Sequence, residues 1–152
     1  MNRIKATQIA TIRKPNPSTT YIEFKEKYWP GVLQLDKFSH IIVLWWIHER
    51  DSKENRMNLR DYPPVEGAEL SGVFASRSPA RPTPIGLSIV RIKRVDEDEL
   101  RILIDQIDAI EGTPVIDIKP YMPFSDKVDN SRVPKWFLQN QSRYTERPFE
   151  EG

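Results

Sequence analysis

A chain of 152 residues is one domain by size, expected to bury about 70% of the surface its unfolded form exposes. Its 38% hydrophobic content, with 4 Trp, 5 Tyr and 6 Phe, excludes global disorder, and the absence of cysteine excludes a disulfide framework, a thiolate zinc site and a Cys nucleophile. The net charge of +1 hides a segregation: Leu70 to Val95 holds five cations and no acid, whereas Asp96 to Glu111 holds seven acids and one cation.

The first strand is expected from the alternation of Ile4, Ala6, Ala10 and Ile12, stopped by Pro15 and Pro17. Tyr21 to Phe24 reads as a short second strand, closed by the turn Tyr28-Trp29-Pro30-Gly31. His40 to His48 is apolar at nearly every position and rich in β-branched and aromatic residues, so it predicts a strand buried on both sides at the centre of a sheet. Its longest apolar run, Ile41 to Ile47, is far too short to span a bilayer, and the N-terminus lacks a signal pattern. A soluble, cytoplasmic chain with no membrane partner is expected, and with His40 and His48 as the only imidazoles, no metal.

Asp51 to Leu59 is polar and suits a short helix or a loop. Leu70 to Ala75 and Gly86 to Val95 read as strands around a proline-dense insert, and Asp96-Glu97-Asp98-Glu99 predicts a hairpin into Leu100 to Ile104. Val115 to Tyr121 predicts a last strand, with Val115, Asp117 and Lys119 on one face and Ile116 and Ile118 on the other. After Asn130 a helix is expected, with Ser131 at its N-cap and Pro134 in its first turn. The sum is an all-β chain, a small antiparallel β-barrel with a short C-terminal helix, forming one domain over residues 1–152. A nucleotide-binding doubly wound fold is excluded, because it needs alternating helices and a glycine fingerprint after the first strand.

Three stretches carry candidate chemistry. In Phe74-Ala75-Ser76-Arg77-Ser78-Pro79-Ala80-Arg81-Pro82-Thr83-Pro84-Ile85-Gly86-Leu87-Ser88 the prolines predict a stiff extended rod, with Arg77 and Arg81 roughly 12 Å apart and ready for carboxylate or phosphate. Equally, such a rod is a plain strand connection whose arginines pair with the acidic neighbour. In the stretch Ile107 to Tyr121, Glu111-Gly112-Thr113-Pro114 is a tight turn, and Asp117 and Lys119 stand about 7 Å apart by strand rise. They either neutralise each other or form a proton-transfer and orienting pair. The third, Leu35 to Glu49, ends in His48-Glu49, where loops after strand ends line barrel mouths.

FASRSPARPTPIGLS, IEGTPVIDIKPYMP and LDKFSHIIVLWWIHE together resemble the TsaA-like, or TrmO, family of S-adenosylmethionine-dependent tRNA methyltransferases, from about Ile4 to Pro123. The resemblance implies a small antiparallel barrel, a homodimer with the cofactor S-adenosyl-L-methionine near its interface, and a tRNA partner methylated on N6 of threonylcarbamoyl-adenosine beside the anticodon. It implies cofactor contacts from His48, Glu49, Arg77, Leu87, Ile107, Asp108, Ala109 and Ile110. On that footing Asp117 becomes the proton acceptor with Lys119 as its catalytic partner, and Arg81 and Tyr121 bind substrate. Thr83 stands where the family usually has Asn, and Glu111 where Asp precedes Gly-Thr-Pro. By the same resemblance, the further C-terminal region that some bacterial relatives carry is expected to be missing. Two other functions suit the same residues: a non-catalytic RNA-binding barrel that stacks bases on Trp29 or Tyr121, and a methyltransferase of a small-molecule or protein acceptor.

Overall fold

Branched aliphatic residues at every second position give each main strand one face that water disfavours, and the strands bury it by closing on themselves. The computed structural model describes residues 2–138 and contains β1 (Ala10–Asn16), β2 (Thr19–Phe24), β3 (His40–Trp46), β4 (Arg60–Asp61), β5 (Ser71–Gly72), β6 (Ile85–Asp96), β7 (Arg101–Ile104) and β8 (Pro114–Pro120). Six of them form a closed antiparallel barrel in the order β1-β2-β7-β6-β3-β8, with β8 returning to β1 through Ala10↔Val115 and Thr11↔Pro114. β4 and β5 pair only with each other, in the excursion between β3 and β6.

Ile12, Ile22, Ile41, Val43, Val90, Ile102, Ile104 and Val115 point into the barrel and are fully buried. Each such side chain contributes roughly 1.5–3 kcal/mol by leaving water. For orientation, the upper rim is the end where β3 finishes and β6 and β8 begin, and the lower rim is the opposite end. Phe24, edge-on to Trp29 with ring centroids 5.6 Å apart, and Val32 close the core below. Ile107 and Ala109 close it above.

Several elements depart from expectation for identifiable reasons. Pro15 lies inside β1 rather than stopping it, because the β1–β2 ladder is irregular between Arg13 and Asn16 and asks no hydrogen bond of it there. Ile4 is fully exposed, and the strand begins only at Ala10. β3 is buried on one face only: Ile41 and Val43 point inward, while Ile42 and Leu44 are half-buried on the outer face. Of Leu70 to Ala75, only Ser71–Gly72 is strand, followed by a 3₁₀ turn over Val73–Ala75. Val115 does not share a face with Asp117 and Lys119, because a bulge between Leu44 and Trp45 in the β3–β8 register leaves Ile116 as an extra residue, putting Val115 and Ile118 inside. Ser131 caps nothing; a 3₁₀ turn starts at Lys135 behind Pro134, and residues from 139 onward lie outside the described residues.

Other expectations hold. A short helix, α1 (Lys53–Arg56), lies within Asp51 to Leu59, where Ser52 also accepts from Asn55 N–H, and the acidic turn joins β6 to β7. At that turn Arg101 donates to Asp96 at 3.1 Å with Arg94 at 3.5 Å. Burial pushes the Asp96 carboxyl up, but the Arg101 hydrogen bond, the Glu99 N–H and the two positive charges outweigh it and hold the group below its ordinary value. Its share of stability is therefore present above the ordinary carboxylate range and is lost as acid protonates it.

Candidate functional site

Topology brings the three motifs to one rim. The segment after β3 (His48, Glu49), the loop before β6 (Arg77, Arg81), the first turns of β6 (Leu87) and the loop after β7 (Ile107 to Ile110) all belong to the upper end. Asp117 lies partway down β8, Lys119 lower, and Tyr121 reaches the lower end, where its N–H donates to His40 O at 3.0 Å.

The best-ordered part of the site is a line of polar atoms that the sequence reading missed. Trp45 and Ser88 both face inward near the rim; Trp45 Nε1 donates to Ser88 Oγ at 3.0 Å, and Ser88 Oγ donates to Asp108 Oδ1 at 2.6 Å. A buried hydroxyl so placed fixes the rotamer of an exposed carboxylate and leaves its outer oxygen for a ligand. Trp45 occupies its place because Gly86, its partner across β3–β6, has no side chain. No sequence signal marked the chain of atoms, since it depends on register.

Lys14, also missed, fastens the same loop from β1. Its Nζ donates to Ile107 O at 2.6 Å, its backbone N–H donates to Glu111 Oε1 at 3.2 Å, and Gly112, at φ 82, turns the chain back onto Ile12 O. Burial pushes the Lys14 ammonium below its ordinary value, against the pull of Asp108 and Glu111. Between the folded and ordinary values the unfolded chain binds more protons, so this group's effect on stability becomes more favourable as pH rises through the alkaline range. Lys14→Met is expected to flatten that alkaline rise relative to wild type in urea titrations, and to speed amide exchange across residues 107–112.

The proline-dense loop is a bent, stapled segment rather than a straight rod, with bends from Pro79 to Thr83 and Ala80 and Pro84 buried. Arg81 donates to the carbonyls of Ser76 and Ser78 at 3.1 and 3.2 Å, so its guanidinium holds the loop together. The rest of the excursion clasps the loop: Arg56 donates to Pro82 O at 3.0 Å, Asn58 to Ala80 O at 2.9 Å, and Ser78 to Asp61 at 3.2 Å. Arg77 stays exposed.

On the outer face, register places Leu87, Leu44 and Asp117 in one row across β6, β3 and β8. Asp117 meets Lys119 at 3.1 Å with side chains 47% and 62% exposed, a pair that contributes less than about 1 kcal/mol. Leu87 and Ile110 are both 45% exposed, Leu87 in the outer row of Asp117 and Ile110 on the loop that carries Asp108. A cleft of about 890 Å³ between Trp29, Leu33, Asp36 and the turn Arg94 to Asp98 lies at the lower rim, away from these groups. Among the described residues, no cluster of three or more His, Asp or Glu could hold a metal ion, and no helix is long and apolar enough to cross a membrane.

Fold and site thus define a closed six-strand barrel with Asp108 and the proline-dense loop at its upper rim and Asp117 and Lys119 stepping down β8 to Tyr121. The family described as tRNA-methyltransferase O N-terminal domain matches residues 9–127, and the chain belongs to it. An S-adenosyl-L-methionine-binding protein of Archaeoglobus fulgidus is 43% identical over 104 residues, 68% of this chain and 70% of that protein. A tRNA (adenine(37)-N6)-methyltransferase of Escherichia coli is 38% identical over 103 residues, 66% of this chain and 43% of that one. The crystal structure of TrmO from Pseudomonas aeruginosa superimposes with a TM-score of 0.66 at 26% identity, covering 86% of this chain and 61% of that chain. A second Archaeoglobus fulgidus relative, 34% identical, is longer still: the chain spans 39% of its length.

Proposed function

We propose that this protein is an S-adenosylmethionine-dependent methyltransferase that acts on N6 of the adenosine beside the tRNA anticodon, with threonylcarbamoyl-adenosine as the acceptor. Family membership and the names of the relatives support the class. The observation that carries it to these residues is the locked carboxylate of Asp108 at the rim where the three motifs meet.

The residues present fit the cofactor. Asp108 offers an oriented acid to a cationic or hydroxylated ligand, Leu87 and Ile110 offer apolar shelves, and His48, Glu49 and Arg77 stand on the segments around them. When bound, S-adenosylmethionine supplies an activated methyl for in-line transfer, so the protein's main work is alignment. Asp117 then accepts the N6 proton, and Lys119, at 3.1 Å, orients that carboxylate on the outer face. Tyr121 and the lower part of β8 orient the nucleoside. Arg81, tied to its own loop, acts on substrate by shaping the segment that presents Arg77.

Residues 1–152 work as one unit in this reading, as a homodimer in the cytoplasm. The excursion between β3 and β6 supports the dimer: Met57, Leu59, Tyr62, Leu70 and Phe74 are each more than half exposed, and Ile85 and Leu87 extend that apolar surface onto the barrel. The test is calorimetry with S-adenosylmethionine followed by radiolabelled methyl transfer to tRNA with and without the threonylcarbamoyl group. Cofactor heat with transfer only to the modified tRNA is expected. Heat without transfer to either tRNA redirects the search to another acceptor, and RNA binding without cofactor heat makes the barrel a non-catalytic RNA module.

A further inference from the structure

The basic block of the sequence divides in the fold. Arg81 is held by loop carbonyls, Arg94 pairs with Asp96, and Arg77 stands at the upper rim. Arg91, on the outer face of β6, and Lys93, the extra residue where the β6–β7 register shifts, remain exposed, and among the described residues no ion pair or hydrogen bond engages either side chain. Neither has a part in the site above.

Register shows what lies beside them. Arg91 is the direct partner of His40 on β3, and the His40 ring meets Tyr121 edge-on with centroids 6.4 Å apart. Ser39 Oγ and His40 Nδ1 are 2.8 Å apart, which fixes the imidazole. Lys119 stands on the same outer face, opposite Ile42. Two ring systems are thus flanked by Arg91 and Lys93, with Lys119, paired to Asp117, beside them on the outward face. Flat rings with interleaved positive charge suit unpaired nucleotides, whose bases stack and whose phosphates need neutralising.

The acids nearby do not oppose this. Asp117 is paired with Lys119, Asp105 accepts from the backbone N–H of Arg91, and Asp126, the acid next to Tyr121, accepts from Met122 N–H. Farther down, Asp36, Glu97 and Asp98 of the lower cleft repel phosphate and so mark where the surface stops. By strand rise Tyr121 is about 13 Å from Asp117, and Arg91 about 13 Å from Leu87. That is a short stretch of single strand from the reacting atoms.

We propose that His40, Tyr121, Arg91, Lys93 and Lys119 form the surface that holds the unpaired anticodon loop next to the methylated adenosine. The proposal rests on the tRNA reading above and names the part of the fold that grips the RNA.

The test uses the full chain and its Arg91→Glu/Lys93→Glu variant, with anisotropy of a labelled anticodon stem-loop across a salt series, KM for tRNA, cofactor calorimetry and solution mass. The variant is expected to bind the stem-loop at least tenfold more weakly and to raise KM similarly. Its log K against log salt slope should be shallower by about 1.4–1.8, the counterions of two phosphates. Cofactor heat and solution mass should not change. His40→Ala should weaken binding about tenfold with the slope unaltered, as loss of stacking requires. Unchanged affinity and slope in the charge-reversed variant would overturn the proposal while leaving the methyltransferase reading intact. A fall in solution mass would also overturn it, by making the patch a contact between copies. If wild type gives no cofactor heat, the functional reading fails by itself, and the anisotropy series still decides whether this face binds RNA.

Discussion

Gly86→Ala is expected to unfold at lower denaturant, a loss of about 1–3 kcal/mol, and to lose most of its affinity for S-adenosylmethionine. A methyl group at this position would stand 2.5 Å from Cζ2 and 2.7 Å from Cδ2 of Trp45, closer than carbon atoms approach. The backbone angle of Gly86 is ordinary, so the conflict is one of space alone. The indole must swing away, taking with it the hydrogen bond to Ser88 and the hold of Ser88 on Asp108. Urea titration and tryptophan fluorescence measure the first effect, and calorimetry the second. Gly31→Ala, where an added methyl meets nothing within 4 Å, is the control and should match wild type. Unchanged fluorescence and cofactor affinity in Gly86→Ala would show that the Trp45–Ser88–Asp108 line has no part in binding.

Asp117→Asn should lower turnover by about 10²–10⁴-fold while leaving the unfolding midpoint and cofactor affinity in place. The two halves of that expectation have separate causes. The exposed pair with Lys119 adds little to stability, so its loss is hard to see in a melt. Asparagine keeps the shape of the side chain but cannot take up a proton at neutral pH. Single-turnover methylation at saturating cofactor isolates the step. Full turnover in the variant would remove Asp117 from proton transfer and leave alignment as the whole of the chemistry.

The sequence made the strands legible where alternation was strong, as at Ile102 and Ile104 or across the hairpin turn after Asp96. It misled wherever register or long-range pairing decided. Pro15 looked like a stop, but a local irregularity in the ladder admits it. Val115 looked like a neighbour of Asp117, yet one extra residue at the bulge turns it inward. The motifs made His48, Arg77 and Asp108 candidates, because unusual runs of proline, glycine and charge stand out locally. Lys14 and Ser88 did not stand out, since a lysine and a serine acquire their meaning here only from an atom many residues away. Arg81 has partners that no local pattern announces, the carbonyls of its own loop.

Trp46 and Ile85 are already ladder partners, and Ile47 N–H bonds to Pro84 O, so everything between them hangs from a finished hairpin. The entropy of tethering such a loop grows only with the logarithm of its length, about 0.6 kcal/mol for each doubling. Mutation can therefore lengthen, trim or rewrite the excursion with little penalty to the scaffold. Exchanging that one appendage would replace His48, Glu49, Arg77 and the exposed apolar residues together, while Asp108 and Asp117 stay with the barrel.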